Sequence, residues 1–594
     1  MSSTAHSLFR RFLIWRARNW SEDRFVLFLA VVVGILSGAV AVLLKNTVHA
    51  VGHFIREGRL HILHEHYGYA FPLLGILLTV WLLRNLIRAP LGDGVPATLL
   101  AISKRNGLIP AYKMWASILT SSVTVGFGGS VGLEGPTVST GSAIGSNLAR
   151  SMRLSYRSRI LLISCATAGA LSSILQTPIA ALVFAIEVFS LDLTLASLVP
   201  LLLSSVSGTV MSLFFTGEGH LFPFEPTEAF QVNDLPWYGA LGVLAALFSL
   251  YFNKVYFFVH DQFQRIENIW VRALVGGSLL GVLIYLIPPL YGEGYETINQ
   301  LLSGRWDEVV KGWMFSEGVS SEWLLIALVL GLVLFKVVAT SLTLGAGGVG
   351  GIFAPTLFMG SALGFVFARL INQTGIGSIS ESNFSLVGMG ALLAGVLHAP
   401  LTAIFLIAEV TGGYELFLPL MLVCALSYAV VKAFVPHSVY ARQLAQRGEL
   451  ITHDKDKAVL TLMKLDTVIE SDFSPISPDM SLGDLVQVVA HSKRNLYPVL
   501  DAEQRLEGIL LLDDFRQIMF EQNLYATTWV RDLMSAPPSI IQAEEPMSKV
   551  IERFQSSGAW NLPVIKDGVY MGFVSKSKLF TAYRKQLIDF SGQS

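Results

Sequence analysis

The sequence predicts an all-α membrane domain of two related halves with broken helices, followed by a smaller α+β domain. Three observations carry this. Only 14% of the residues are charged and 53% are apolar, whereas soluble chains carry about 25% charged residues. Blocks within the first 435 residues recur once in the same region. Near residue 436 the long apolar runs stop and the charge density rises.

The chain opens on "SLFRRFLIWRARNW" within residues 1–24, a basic amphipathic segment. It lacks the uninterrupted apolar core and small-residue cleavage site of a signal peptide. Excess Lys and Arg favour the cytoplasmic side, so this segment is expected on that face. Runs 26–44, 71–83, 237–252, 271–290, 324–343 and 415–431 are nearly free of charge. Several approach the roughly 20 residues that span a bilayer core. They define a multi-pass membrane domain over 25–445. Runs 91–102, 128–148 and 345–372 are broken by Gly and Pro, as are transporter helices that end near the midplane at a substrate site. Arg150, Arg153, Arg157 and Arg159 suggest a second cytoplasmic loop.

Other features point away from alternative functions. Net charge is −1, which gives no sign of a nucleic-acid partner. Cys165 and Cys424 lie in apolar runs and imply neither a disulfide framework nor a zinc site. "HILHEH" (61–66) reads as a loop or helix end at the surface, not as a metal cluster. No nucleophile–base constellation stands out, so the chain does not read as an enzyme.

The repeat locates the chemistry. "GPTVSTGSAIG" (135–145) matches "APTLFMGSALG" (354–364), and "LQTPIAALVFAIEV" (175–188) matches "LHAPLTAIFLIAEV" (397–410). Nearly one shift relates both blocks, which argues for duplication over roughly 25–215 and 237–435. Pairing them sets "GLEGP" opposite "GIFAP", and Glu134 opposite Phe353. Each segment has a Gly-rich lead and then a proline, which a helix tolerates in its first turn. Two helix N-termini aimed at one point would bind an anion through backbone N–H groups and helix dipoles, without a full positive charge. Partial charges allow binding and release. A carboxylate there acts as a tethered anion, leaving when protonated or swung aside. A charge near the bilayer centre costs about 2.5–3.5 kcal/mol on insertion scales, so Glu134 calls for a use.

These segments resemble the CLC family of chloride channels and proton/chloride antiporters over nearly the whole chain. The family's pore motifs read here as "GDGVP" (92–96), "GLEGP" (132–136), "GIFAP" (351–355) and "SVY" (438–440). The resemblance implies inverted-topology halves, a homodimer with one pore per subunit, and chloride or similar anions as cargo. It implies that Glu134 is the gating glutamate. Backbone near Leu133, Glu134 and Gly135, and near Ile352, Phe353 and Ala354, would coordinate anions, with the Tyr440 hydroxyl touching the central anion. A phenol is a suitable neutral donor. The resemblance further implies a bacterial inner (plasma) membrane protein with both termini cytoplasmic.

Three departures bear on mechanism. Asp93 stands where many members have a serine; it is expected to cap the following helix, with its charge turned aside. Val188 stands where antiporters often carry an inner proton-accepting glutamate. The preceding Glu187 is then the nearest proton-path candidate, although it and its repeat mate Glu409 read better as backbone-binding groups. Leu133 stands where antiporters often have arginine, which weakens anion steering.

The tail, 460–590, holds a second duplication. "RNLYPVLDAEQRLEGILLLDDF" (494–515) resembles "WNLPVIKDGVYMGFVSKSKLF" (560–580). Each copy reads as strand, turn, strand and helix, preceded by a strand and an amphipathic helix. The copies, roughly 465–523 and 530–590, look like a CBS domain pair. Some such pairs bind adenine nucleotides, but each copy here keeps half of that pattern: Asp514 in the first and Ser575 in the second. A dimerisation and gating-support module is the plainer reading. Val188 favours a gated chloride channel; Glu134 and Tyr440 keep the proton-coupled antiporter as the alternative. A divalent-cation channel would want acidic residues lining the path, and paired helix N-termini do not supply them.

Overall fold

In the computed structural model the residues described are 11–591, apart from 17, 57–66, 90, 93, 192–193, 218–229, 311–312, 314–320, 447–459 and 461–462. Asp93 and "HILHEH" therefore lie outside the described residues. The chain forms two units, Met1–Leu450 and Ile451–Ser594.

The first unit is helical. Its opening half runs through α1 (Glu22–Arg56), α2 (Phe71–Trp81), α3 (Gly94–Lys104), α4 (Lys113–Gly126), α5 (Glu134–Ser151), α6 (Tyr156–Leu175), α7 (Pro178–Phe189) and α8 (Leu195–Thr216). The second half runs through α9 (Leu235–Gln264), α10 (Ile269–Leu286), α11 (Tyr295–Leu302), α12 (Trp306–Val310), α13 (Glu322–Gly345), α14 (Phe353–Thr374), α15 (Glu381–Leu397), α16 (Pro400–Val410), α17 (Phe417–Phe434) and α18 (Val439–Gln446). Among the described residues nine helical stretches are long and apolar enough to cross a membrane. The short apolar α7 and α16 each start on a proline, whose missing N–H costs nothing at that position.

The sequence repeat is also a packing repeat. "GSAIG" lays Gly141 and Gly145 of α5 against the α6 backbone. A methyl group added there would sit 2.7 Å from the Ala166 carbonyl oxygen and 2.6 Å from that of Leu162. "GSALG" does the same with α14 on α15, where added methyls at Gly360 and Gly364 would overlap the Gly388 and Phe384 carbonyls. Small residues let helices approach closely, which matters where lipid supplies no hydrophobic drive between them. The ends of α6 and α15 match too: Gln176 (φ 58°) and His398 (φ 55°) both turn left-handed before the prolines of α7 and α16.

The second unit holds two α+β copies. In the first, β2 (Leu496–Leu500) pairs antiparallel with β3 (Leu506–Leu511), after helix α19 (Leu482–His491). In the second, α20 (Met547–Ser557) lies between β4 (Ile541–Gln542) and the hairpin β5 (Asn561–Lys566) and β6 (Val569–Ser575), and α21 (Lys576–Ser591) follows. The copies exchange their leading residues. The early strand β1 (Ile469–Glu470) adds to β6 of the second copy, while Ser535 bridges to Ile509 of the first. The cores follow suit: Leu465 and Val468 pack with Val564 and Val574, and Val530 packs with Tyr497 and Leu510.

Candidate functional site

The leads of α5 and α14 run antiparallel and pair backbone to backbone. Gly132 N–H donates to the Gly351 carbonyl, and Gly351 N–H to the Gly132 carbonyl, each at 2.8 Å. Leu133 and Ile352 precede the two helices with nearly the same backbone (φ −91°, ψ −12° and φ −91°, ψ −2°), and neither caps its helix with a side chain. Two helices thus begin side by side with uncapped N–H groups, where helix dipoles favour negative charge.

Glu134, the first residue of α5, is 4% exposed. Its Oε1 accepts a hydrogen bond from the Tyr295 hydroxyl at 2.6 Å. The N–H groups of Glu134 itself and of Ala354 face the same carboxylate. Its oxygen Oε2 reaches no partner at full hydrogen-bond geometry among the described residues. It lies against Gly132, where an added Cβ would overlap it. The carboxylate therefore occupies the meeting point of the two helix starts. Phe353, its repeat mate, is buried and packs edge-on against Phe184 at 6.5 Å.

On one side of this point lies a cavity of about 20 Å³, lined by Gly94, Val95, Pro96, Tyr256, Gly135, Gly350, Gly351, Ile352, Val439 and Tyr440. All four quoted motifs reach it. Gly94 is required there, because a Cβ would overlap the Gly135 carbonyl. Tyr440, the second residue of α18, is buried. A second cavity, of about 460 Å³, is lined in part by Leu133, Glu134, Glu293 and Tyr295. Glu134 lines this larger space, and its neighbour Gly135 lines the smaller one. Tyr295, Tyr256 and Glu293 did not stand out from the sequence. "GEGYE" (292–296) resembles "GLEGP" as a carboxylate among glycines, and that was the available signal.

Glu187 and Glu409 bind backbone reciprocally. Glu187 on α7 accepts from Leu401 N–H (3.0 Å), Thr402 N–H (2.8 Å) and the Thr402 hydroxyl (2.6 Å) at the start of α16. Glu409 on α16 accepts from Ile179 N–H (3.0 Å) and Ala180 N–H (2.8 Å) at the start of α7. Each carboxylate caps the other half's helix, satisfying N–H groups that the helix leaves free. Val188 is half-buried and packs on the main core.

In the tail, both halves of the nucleotide pattern are already engaged. Asp514 Oδ2 accepts from Leu511 N–H at 3.0 Å. The Ser575 hydroxyl donates to Glu470 at 2.5 Å and accepts from Lys578 N–H at 3.2 Å. Both side chains therefore hold protein partners in this structure.

Comparison with known proteins places this geometry. The voltage gated chloride channel family matches residues 74–432, and the CBS domain matches 466–521 and 530–585. The chain is 33% identical to a ClcB-like chloride channel protein of Ralstonia nicotianae over 59% of this chain and 79% of that one. It is 30% identical to an H(+)/Cl(-) exchange transporter ClcA of Klebsiella pneumoniae over 67% of this chain and 84% of that one. The fold is similar to that of a slow cyanobacterial Cl-/H+ antiporter, with a TM-score of 0.60 at 23% identity, covering 72% of this chain and 99% of the other. It is also similar to a eukaryotic CLC transporter, with a TM-score of 0.59 at 19% identity, covering 94% and 99%. With its paired helix starts, its repeated halves and its tandem tail, the chain belongs to the voltage gated chloride channel (CLC) family and is a chloride-transporting membrane protein with a C-terminal CBS pair.

Proposed function

We propose that this protein exchanges chloride for protons, with Glu134 as the gate. One observation carries the reading: the Glu134 carboxylate lies where two helix N-termini converge, held by the Tyr295 hydroxyl on the wall of a large cavity, with the next residue, Gly135, lining a small cavity at Tyr440. While ionised it competes with chloride for those N–H groups; protonated, it loses that advantage and chloride enters. Anion movement is thereby tied to a proton. The ClcA relatives, named as H(+)/Cl(-) exchange transporters, support the same reading.

A passive, gated channel is the second reading, and Val188 with Glu187 favours it. Valine carries no proton, and Glu187 is engaged at the start of α16. In either case Leu133, Gly135, Ile352, Phe353 and Ala354 supply backbone to the anion and Tyr440 closes the inner side. Asp93 caps α3. The protein works as a homodimer in a bacterial plasma membrane. The start of α1 and the arginine-rich turn after α5 share one face, through Ser155 N–H donating to Glu22. That clustering of basic residues supports a cytoplasmic side there. The tail supports dimerisation and gating.

Purified protein in liposomes, under a chloride gradient, decides between the readings when chloride efflux and external pH are recorded together. Protons driven uphill by chloride establish exchange. Chloride efflux without proton movement establishes the channel.

A further inference from the structure

The segment before α11 brings a second carboxylate to the gate. The Glu293 carboxylate faces the Leu133 N–H, at the same helix start that Glu134 occupies. Two residues on, Tyr295 donates to Glu134 at 2.6 Å. One residue before, the Gly292 carbonyl accepts from Lys336 Nζ at 2.9 Å. Lys336 lies within the apolar α13, is fully buried, and stacks its ammonium over Phe358 at 4.7 Å. A buried lysine in such a helix marks a functional position by default. Its charge lies near Glu293 and acts on it.

We propose that Glu293 is a second proton-binding carboxylate of the gate, which shares the start of α5 with Glu134 and sets the pH at which Glu134 yields to chloride. The inference rests on the reading of Glu134 as the gate. A helix N-terminus offers roughly half a positive charge, so two ionised carboxylates there oppose each other, and the pair titrates as a unit. Glu293 has Lys336 as its positive neighbour; Glu134 has the Tyr295 hydroxyl. Lys45, His49 and Arg56 of α1 line the same cavity, with Tyr291 and Glu296. These make the cavity a mixed field that Glu293 does not dominate by itself. When Glu134 takes up a proton, one O–H bond forms on its carboxylate and one breaks on a hydronium ion in the cavity, leaving water, while the Glu293 carboxylate keeps its charge beside Lys336.

Chloride efflux from liposomes, at equal pH on both sides and from about pH 4 to about pH 8, tests this. In Glu293→Gln the opposing charge is gone, Glu134 holds its own charge to lower pH, and the midpoint of acid activation falls by about one pH unit. In Tyr295→Phe the ionised form of Glu134 loses its donor, and the midpoint rises. Glu293→Asp keeps the charge and restores the direction of the wild-type response. An unmoved midpoint in Glu293→Gln, or in Tyr295→Phe should the first variant fail to fold, overturns the proposal. Glu134→Gln separates the two levels. If it keeps the pH response, the gate reading fails. If it abolishes the response while Glu293→Gln leaves the midpoint in place, only the role of Glu293 fails.

Discussion

The starts of α5 and α14 are near copies in backbone and opposites in chemistry. Both follow a Gly-rich lead, both lack a side-chain cap, and the leads hydrogen-bond to each other. One carries Glu134 and the other Phe353. Duplication supplied two partial positive charges at one point, and a single carboxylate occupies their meeting point. The seam between α7 and α16 shows the opposite outcome: Glu187 and Glu409 stayed equivalent, and each caps the other half. Symmetry is kept where the halves are held together and, under the proposed gate, broken where the anion would pass.

The largest expected effect breaks the asymmetry. Glu134→Gln should remove the acid dependence of chloride efflux altogether while efflux itself persists, measured in liposomes across pH. Loss of chloride transport in that variant would contradict the tethered-anion account.

The seam comes next. Glu187→Ala and Glu409→Ala each leave two helix-start N–H groups, one of them on a buried residue, without their charged acceptor, at a cost of about 2 kcal/mol. Thermal unfolding in detergent should show comparable losses for the two, somewhat larger for Glu187, which also accepts from the Thr402 hydroxyl. A loss confined to one would mean the halves are not equivalent there.

Gly351→Ala tests the paired leads, since its Cβ would lie 2.8 Å from the Gly135 nitrogen. Overpacking of this kind costs about 1–3 kcal/mol. Reduced thermal stability together with weaker chloride binding is the expected pair of results; normal binding would detach the pairing from the anion site.

The smallest effect lies in the tail, whose copies also differ at matching helix starts. Ser481 begins α19 by accepting from Asp484 N–H at 3.2 Å. Pro546 begins α20 without a side-chain cap, and there Glu545 is bound by Arg553 Nε at 2.8 Å and Nη2 at 2.5 Å. Hydrogen bonding to Arg553 holds the Glu545 carboxyl below its ordinary value. A lowered folded value means that this stabilisation is complete above the ordinary carboxylate range, near about pH 4.3, and is lost as pH falls through the folded value. Glu545→Gln should cost about 1 kcal/mol or less above that range, and nothing once the wild-type carboxylate is protonated. Hydrogen exchange of β5 and β6 in the full chain, compared at about pH 7 and about pH 3, reads both arms.

Much of this was legible in the residues. Helices α1, α9, α10, α13 and α17 follow from their apolar runs, and α5 and α14 from the broken ones. α6 and α15 were harder to see. They are rich in Ser, Ala and Gly because they pack against other helices, and α6 is mostly buried. Glu134, Gly135, Ile352 and Tyr440 stand out through motif and repeat; Gly135, Ile352 and Tyr440 line one cavity and Glu134 lines another. Tyr295, Glu293 and Lys336 did not. Tyr295 lies 161 residues from the carboxylate it binds, and pairing at that range leaves no periodic trace. The lone lysine in the run of α13 was visible, but its partners were not. The backbone exchange in the tail was equally hidden, since it depends on which copy a leading strand joins.

The most direct test of the account is an anomalous-scattering map of the Glu134→Ala variant crystallised in bromide. A bromide peak between the N–H groups at the starts of α5 and α14, in the space the carboxylate vacates, is the predicted result. Bromide bound near Tyr440 with nothing between the two helix starts would contradict the claim that Glu134 stands in an anion's place.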